Sequence, residues 1–305
     1  MSDTRRAYPS DLSDAEWALL APLLPPPAPC GRPRKWPERL VADAVFYVLR
    51  SGCAWRMLPR EFPPWPTVYA RFRRWRVSGT LRRAHDALRA CARQAAGRAP
   101  EPSAAVIDSQ SAKTTGVGGP ARGYDGAKRL KGRKRHLLVD TTGLVLLACV
   151  HAADLHDRDG ARLLIERAPR SGLSRMQLVW ADQGYTGAFA QWLEERRGWR
   201  LQVVRHPERQ LWRYGLEQKS AHTFRVLPRR WVVERTFAWL GQSRRLSKDY
   251  ERLPAVAEAM LYGAMARLML RRLSRAGPAD AVTRWRSPRP SARATSPAPC
   301  RPSAR

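Results

Sequence analysis

The stretch AAVIDSQS, residues 104–111, is the part of the sequence that most directly predicts a fold. Four apolar residues precede Asp108, a pattern typical of a short buried strand that ends at a carboxylate. The stretch LVWADQGY, residues 178–185, has the same arrangement around Asp182. Because a single aspartate after a strand is usually a cap or turn residue, these two indicate a functional site only together with a third acidic residue.

A third acidic residue, Glu234, lies in RRWVVERTFAWL, residues 229–240. The spacing of apolar residues predicts a long amphipathic helix from about Arg229 to Arg244. Helical periodicity puts Arg230, Glu234 and Arg245 on one stripe, where the arginines could bind phosphate groups. The alternative is an intrahelical surface ion pair between Arg230 and Glu234, worth less than about 0.5 kcal/mol.

These three carboxylates predict a metal site. Acidic groups that cluster repel one another and are costly to remove from water, so they need a compensating charge. Divalent cations such as Mg²⁺ supply that charge, and two of them make a site that can cut a phosphodiester. We therefore expect Asp108, Asp182 and Glu234 to bind two Mg²⁺ ions, with Mn²⁺ as a possible substitute.

The overall charge indicates a polyanionic partner. The 305 residues carry a formal net charge of +30, with a sequence pI near 11.4. Such an excess favours nucleic acid over small acidic molecules, since counterion release rewards many phosphate contacts at once. The five scattered cysteines lack a C-x-x-C pair and predict neither a zinc site nor disulfides. No long apolar stretch or signal peptide is evident, so we expect a cytoplasmic, nucleoid-associated protein without a membrane anchor.

The first 97 residues predict an all-helical domain that binds DNA. Helices are expected after Ser13, after Pro37, near Thr67, and from about Leu81 to Ala95. The third of these carries several arginines and follows another helix, as in a helix-turn-helix element. The alternative is an arginine-rich, solvated face of a helical bundle. The residues expected to contact DNA are Arg71, Arg73 and Arg74.

The remaining chain predicts an α/β domain over residues 104–275, after a linker at 98–103. Strands are expected at 104–109, 133–140, 144–150, 177–181 and 200–204, with helices at 159–168 and 187–197. This alternation is typical of a mixed sheet with flanking helices. Residues 276–305 are rich in Pro, Ser, Arg and Ala, so this tail is predicted to be disordered.

A basic segment from Arg122 to Arg135 is predicted to form a loop between the first two strands. Its glycines allow the backbone to approach phosphate closely, and its cations neutralise that phosphate. The alternative is a solvated run of charges. The residues expected to contact DNA are Lys128, Lys131, Arg133, Lys134 and Arg135.

Several other polar and aromatic residues have weaker interpretations. His151, Asp154, His156 and Asp157 resemble a metal cluster, but His151 is expected to end a strand and Asp157 to cap a helix. Trp180 is expected to be core beneath the site. Trp212 and Tyr214 are candidates for stacking on a flipped base.

Longer sequence strings resemble a known family. They include YPSDLS at 8–13, GCAWRMLP at 52–59, WPTVY at 65–69, KGRKRH at 131–136 and WVVERTF at 231–237. Over residues 7–272 the chain is similar to bacterial insertion-sequence transposases of the DDE type, insertion-sequence family five. The resemblance implies an RNase H-like fold, two divalent metals and cut-and-join chemistry on double-stranded DNA. It assigns the metal-binding triad to Asp108, Asp182 and Glu234, and it implies a homodimer in a synaptic complex.

The sequence departs from related transposases around Glu234. Their signature is Tyr, two residues, Arg, three residues, Glu, six residues, Lys; here Leu227 and Gly241 replace the Tyr and the Lys. Arg244, Arg245 or Lys248 is expected to supply the missing cation. Two other functions remain open at this point: a metal-dependent nuclease that does not join DNA, and a non-catalytic DNA-binding regulator or inactive remnant.

Overall fold

The N-terminal part of the protein is helical. A computed structural model describes residues 8–27, 33–169, 172–204 and 231–275. Helix α1 spans Asp14–Leu20, α2 Glu38–Ser51, α3 Trp65–Val77 and α4 Thr80–Ala95. Ser13 and Glu16 form a capping box that begins α1, as the sequence predicts. Gly52, with φ of 77°, ends α2 in the left-handed conformation that glycine adopts without strain.

A six-stranded mixed sheet follows. Its strands are β1 Ala104–Lys113, β2 Gly123–Asp125, β3 Leu130–Asp140, β4 Val145–Ala152, β5 Leu178–Ala181 and β6 Arg200–Val203. The strands β4, β3 and β1 pair antiparallel, and β5 and β6 then continue the sheet parallel to β1. Short β2 pairs with the start of β3. The expected mixed α/β fold with a helical N-terminal region is confirmed.

Helices cover both faces of this sheet. Helices α5 Asp157–Glu166 and α6 Ala188–Arg197 share one hydrophobic cluster with Ile107, Leu138 and Val179. Helices α7 Trp231–Gly241 and α8 Pro254–Arg275 belong to a second cluster with Val106 and Trp180. Because side chains alternate along a strand, consecutive residues of β1 point to these two different cores.

Helix α8 connects the helical region with the sheet. It packs against α1, α2 and α4 on one side and against β4 on the other. Its residues Leu261, Met265 and Leu270 are at most 1% exposed within the same cluster that holds Val45 of α2 and Leu88 of α4. The division into two domains stays a prediction, but the described parts of both share one hydrophobic core.

Two expected elements differ from the structure. Strand β1 continues to Lys113 instead of ending at Ser109, because it pairs with β3 along that whole length. Helix α7 ends at Gly241, and a separate 3-10 turn follows at Arg244–Leu246. The connection between α2 and α3 contains a further 3-10 turn, Trp55–Met57, whereas only Ser78 and Gly79 separate α3 from α4. Within the described ranges, no helix is long and apolar enough to span a membrane.

Candidate active site

Asp108 lies on β1, and Asp182 directly follows the neighbouring parallel strand β5. The β1–β5 register pairs Ala104 with Leu178 and Val106 with Trp180, so its continuation brings Asp108 beside Asp182. Adjacent strands are about 4.8 Å apart, which places the two backbones side by side at the carboxyl end of β5. Asp108 lies two residues after Val106, and Asp182 lies two residues after Trp180. Val106 and Trp180 belong to the core on the side of the sheet that α7 and α8 cover, and both aspartates are half-buried. The structure therefore brings these two predicted residues together.

Local backbone geometry orients both carboxylates. An Oδ1 of Asp108 accepts from the Ser109 amide at 2.7 Å. Asp182 immediately follows β5, and its Oδ1 accepts from the Gly184 amide at 2.8 Å, which caps the 3-10 turn Gln183–Tyr185. Asp182 thus follows the strand as expected, whereas Asp108 lies in the middle of one.

Glu234 lies on the helix that covers this face. Helix α7 packs against β1 and β3, with Val233 and Phe237 buried in the core beneath it. Glu234 itself is exposed. Among the described residues, no group of three or more potential ligands is close enough to hold a metal ion. The structure therefore places Glu234 on the covering helix but does not bring all three carboxylates to ligand distance.

A second polar group lies on the opposite face of β1. Ser109 Oγ donates to Asp157 Oδ1 at 2.9 Å, and Lys134 Nζ lies 3.1 Å from the same oxygen. Burial is the largest single influence on the pKa of Asp157 and raises it. The hydrogen bonds from Ser109 and Lys134 and the positive charge of Lys134 together outweigh burial, so the pKa is lowered. Asp157 begins α5, but its side chain bonds these groups instead of capping the helix, and the N-cap is His156. The expectation of a helix cap at Asp157 is wrong.

The predicted basic loop is largely strand, and its last three cations are buried. Arg133 is 0% exposed and Arg135 is 3% exposed. The Arg133 guanidinium donates to the carbonyls of Pro120, Glu251 and Arg252 and lies 3.2 Å from Asp249. Satisfied buried arginines of this kind hold loops together and cannot reach DNA without unfolding.

Arg135 and Lys134 have similar internal partners. Arg135 donates to the carbonyls of Leu246 and Lys248, and burial lowers its pKa. Lys134 donates to the carbonyl of Leu155 in addition to its ion pair with Asp157. Arg133, Lys134 and Arg135 are therefore removed from the expected DNA-binding set. Lys128 and Lys131 are exposed and stay in it.

The cations after Glu234 also divide into two groups. Arg245 is buried, and its Nε lies 2.7 Å from Glu251 while its Nη1 donates to the carbonyl of Cys53. Because α7 ends at Gly241, Arg245 does not share the stripe of Glu234, contrary to expectation. Arg244 and Lys248 are exposed. Arg230 lies outside the described residues.

The arginines of α3 differ in exposure. Arg73 and Arg74 are exposed. Arg71 is half-buried and lies 3.7 Å from Glu38 of α2, and burial lowers its pKa. The buried residues Val68, Phe72 and Trp75 fix this helix on the core, so Arg73 and Arg74 point away from it.

Sequence reasoning missed a stack of aromatic and basic side chains beside Glu234. The Arg235 guanidinium lies 4.3 Å from the Trp231 ring and 4.6 Å from the Trp239 ring, and Arg272 lies 4.3 Å from Trp239. The spacing of four residues between Trp231, Arg235 and Trp239 is the signal that could have indicated it. The stack gives the surface around Glu234 a fixed positive charge.

Expectations for single aromatic and histidine residues and for the C-terminal tail complete the comparison with the sequence. Trp180 is 6% exposed and part of the core, as expected. His151 is the second-last residue of β4 and is buried against His136, close to its expected place at the strand end. The tail at 276–305 and the stacking candidates Trp212 and Tyr214 lie outside the described residues.

Comparison with known proteins identifies the family of the chain. Residues 99–269 match the family described as "Transposase DDE domain", and residues 12–85 match "Putative transposase of IS4/5 family". The chain belongs to the DDE transposase family. The matched DDE region contains the whole sheet, both strand aspartates and Glu234.

Two curated relatives of this transposase come from Burkholderia cepacia. The "Insertion element IS402 uncharacterized 16.2 kDa protein" is 36% identical over 115 residues, which is 35% of this chain and 76% of the relative. The "Putative transposase for insertion sequence element IS402" is 30% identical over 151 residues, which is 47% of this chain and 66% of the relative. No solved structure matches the transposase.

Proposed function

We propose that this transposase cleaves DNA at the ends of an insertion sequence and joins the released ends to target DNA. The observation that carries the proposal is the position of Asp108 on β1 and of Asp182 directly after the adjacent parallel strand β5, within a DDE domain. In the proposed reaction, water attacks a phosphodiester and releases a 3′-hydroxyl. That hydroxyl then attacks a phosphodiester of the target, so one bond to phosphorus forms as another breaks.

Asp108, Asp182 and Glu234 are proposed as the metal-binding residues. DDE transposase domains generally use divalent metals. Carboxylate oxygens are the ligands that Mg²⁺ and Mn²⁺ prefer, so the chemistry of the donor set fits. The negative charges of Asp108, Asp157 and Asp182 all contribute, after burial, to a pKa of Tyr185 well above its usual value, which supports a concentrated negative field here. Bound metal would neutralise that field and stabilise the oxyanions of the reaction.

Glu234 is proposed to complete the metal site when DNA and metal bind together. It is exposed on α7, the helix that packs against the strand of Asp108. An exposed glutamate has several low-energy rotamers and can turn toward a ligand without disturbing the core. Val233 and Phe237 keep the helix backbone fixed while the side chain turns.

The exposed cations form the proposed DNA-binding surface. Lys128 and Lys131 precede or begin β3, Lys248 follows α7, and Arg73 and Arg74 lie on α3. Phosphate contacts of this kind position DNA without reading its sequence. Arg230 keeps its proposed role in DNA binding. We also propose that two copies of the chain act together, because joining two element ends requires both to be held at once.

The proposal is tested with a DNA fragment that carries the element's own ends. We expect Mg²⁺-dependent cleavage by the full chain, and a loss of at least about 100-fold in Asp182→Asn, Asp108→Asn and Glu234→Gln, because each removes charge from a metal ligand. Band-shift affinity for the same fragment should stay close to wild type. Glu194→Gln, an exposed glutamate of α6, is the matched control and should cleave normally.

A second assay separates transposition from simple hydrolysis. With a precleaved end and a supercoiled target, strand transfer should yield a joined product in the presence of Mg²⁺. Cleavage without any joined product would contradict the joining step. Equal cleavage by wild type and Asp182→Asn would contradict the catalytic assignment altogether.

A further inference from the structure

Three buried polar side chains, Tyr185, His136 and His151, form a hydrogen-bonded series on the side of the sheet that α5 and α6 cover. Tyr185, His136 and His151 are 1%, 0% and 6% exposed. The Tyr185 hydroxyl lies 2.9 Å from His136 Nε2, and His136 Nδ1 lies 2.8 Å from His151 Nε2. His151 Nδ1 lies 2.8 Å from the carbonyl oxygen of Ala152. Buried polar groups that pair this completely usually have a fixed arrangement.

The donor and acceptor of each hydrogen bond in this series follow from the bond between His151 and the Ala152 carbonyl. Burial lowers the pKa of His136 to about 3 and lowers that of His151 as well, so both rings are neutral at neutral pH. A carbonyl can only accept, so His151 Nδ1 carries the proton and its Nε2 accepts from His136 Nδ1. The remaining nitrogen, His136 Nε2, then has no proton. Tyr185 must therefore donate to His136.

Tyr185 anchors the turn that follows Asp182. In that 3-10 turn Gln183 and Gly184 are exposed, whereas Tyr185 enters the core. The Asp182 carboxylate accepts from the Gly184 amide, and the Tyr185 amide donates to the Asp182 carbonyl at 3.3 Å. The orientation of the Asp182 carboxylate is thus linked to the position of Tyr185 by one hydrogen bond from the Gly184 amide to the carboxylate and one between the backbones of Tyr185 and Asp182.

The middle member of this hydrogen-bonded series, His136, lies beside the strand of Asp108. His136 is the cross-strand partner of Ser109, the residue after Asp108. Helix α5 packs closely against both histidine rings at Gly160. A Cβ at that position would lie 2.4 Å from His151 Nε2 and 2.7 Å from His136 Nδ1. Only glycine fits there, so the two rings cannot shift toward α5.

We propose that Tyr185 is a positioning residue for the metal site, because its hydroxyl bond to His136 holds the Asp182 carboxylate in place beside Asp108. This inference rests on the proposed function. Groups that orient metal ligands typically change metal affinity by about 10-fold to 100-fold when they are removed. A tyrosine that only filled the core would lack this effect, since phenylalanine keeps the ring.

The test is Mn²⁺ binding to the full-length chain, measured by the loss of the free Mn²⁺ signal in electron paramagnetic resonance. Tyr185→Phe is expected to bind Mn²⁺ about 10-fold or more weakly than wild type, as is typical for the loss of a ligand-orienting group. Cleavage by this variant should recover when the Mn²⁺ concentration is raised, because the ligands themselves remain. Asp182→Asn, which loses a proposed ligand, shows how much Mn²⁺ binding falls when a ligand itself is removed.

Tyr262→Phe is the matched control. Its hydroxyl is also buried and accepts from the Ala148 amide at 2.9 Å, but it joins α8 to β4. This variant should lose thermal stability while binding Mn²⁺ as wild type does. Wild-type Mn²⁺ affinity in Tyr185→Phe would overturn the inference while leaving the metal site intact. Identical Mn²⁺ binding by wild type and Asp182→Asn would instead overturn the metal site and the inference with it.

Discussion

At the scale of single residues, the basic protein contains a carboxylate whose charge is costly. Asp43 on α2 is 7% exposed, and its Oδ1 accepts from the Leu12 amide at 2.8 Å. Burial is the largest influence on its pKa and raises it to about 6, although that hydrogen bond and the cations Arg39 and Arg267 act in the opposite direction. The folded state therefore holds this proton more tightly than the unfolded chain does.

This raised pKa predicts a pH dependence of stability. Because the folded pKa lies above the unfolded value, the contribution of Asp43 to stability falls as pH rises from about 4 to 6. Asp43→Asn keeps the oxygen acceptor and removes the charge, so we expect it to raise the free energy of unfolding at pH 8 by up to about 3 kcal/mol. Urea unfolding at pH 4.5 and pH 8 measures this. An equal effect of the substitution at both pH values would contradict it.

Buried arginines are the residues whose place could not be predicted from the sequence. In KGRKRH, Lys131 is exposed and Arg133 and Arg135 are buried, although all three look alike in a run of cations. Arg133 and Arg135 are buried because they donate to the carbonyls of Glu251 and Leu246, more than 100 residues later in the sequence. A local pattern cannot contain that information. The aspartates, by contrast, follow apolar runs that are informative by themselves.

At the scale of elements, α3 carries two of the arginines proposed to bind DNA. Its exposed Arg73 and Arg74 lie opposite Phe72 and Trp75, which are at most 2% exposed. The remaining guanidinium groups on this helix are either half-buried or closer to its ends. Phosphate contacts by such residues release counterions, which makes their contribution to affinity depend on salt.

The double variant Arg73→Gln, Arg74→Gln is expected to weaken DNA binding and reduce its dependence on salt. Each lost phosphate contact lowers the slope of log affinity against log salt by about 0.9, so the pair should lower it by about 2. Fluorescence anisotropy over a salt series measures this slope. The control is Arg196→Gln, Arg200→Gln, which changes the charge equally on exposed residues of α6 and β6. An unchanged slope in the α3 variant would exclude this helix from the interface.

Most helices and strands were predictable because each has its own local signal. The Ser13 capping box, Gly52 and the apolar runs before Asp108 and Asp182 all act within a few residues. The extension of β1 to Lys113 was not predictable, because residues 110–113 are polar and become strand only by pairing with β3. Likewise, the end of α7 at Gly241 could not be separated from a helix that continues to Arg244.

At the scale of the whole molecule, the sheet and the N-terminal helices share one hydrophobic core. Helix α8 is buried between them, with Leu261 and Met269 fully inaccessible to solvent. The ion pair of Arg93 with buried Asp140 adds a polar contact between α4 and β3. Removal of one partner from such a pair leaves a buried charge that nothing compensates.

A fragment of residues 99–275 is therefore expected not to fold cooperatively. It would expose the side of α8 that α1, α2 and α4 cover, and it would leave Asp140 without Arg93. Such loss of packing gives a compact state that binds the dye ANS and melts without a sharp transition. A chain that ends at Arg275 keeps all described contacts and should melt as the full chain does. A sharp transition in the 99–275 fragment would contradict the shared core.

The position of α8 has a consequence for how the protein is made. During translation, the helices before Ala95 leave the ribosome long before residues 254–275, which complete their core, have been synthesised. Until the ribosome has passed Arg275, the arginine-rich helices have no stable surface to present. A message that is cut short before this point would thus yield chains that expose apolar surface and are open to proteolysis. Helix α8 therefore separates chains that can complete the shared core from truncated chains that cannot.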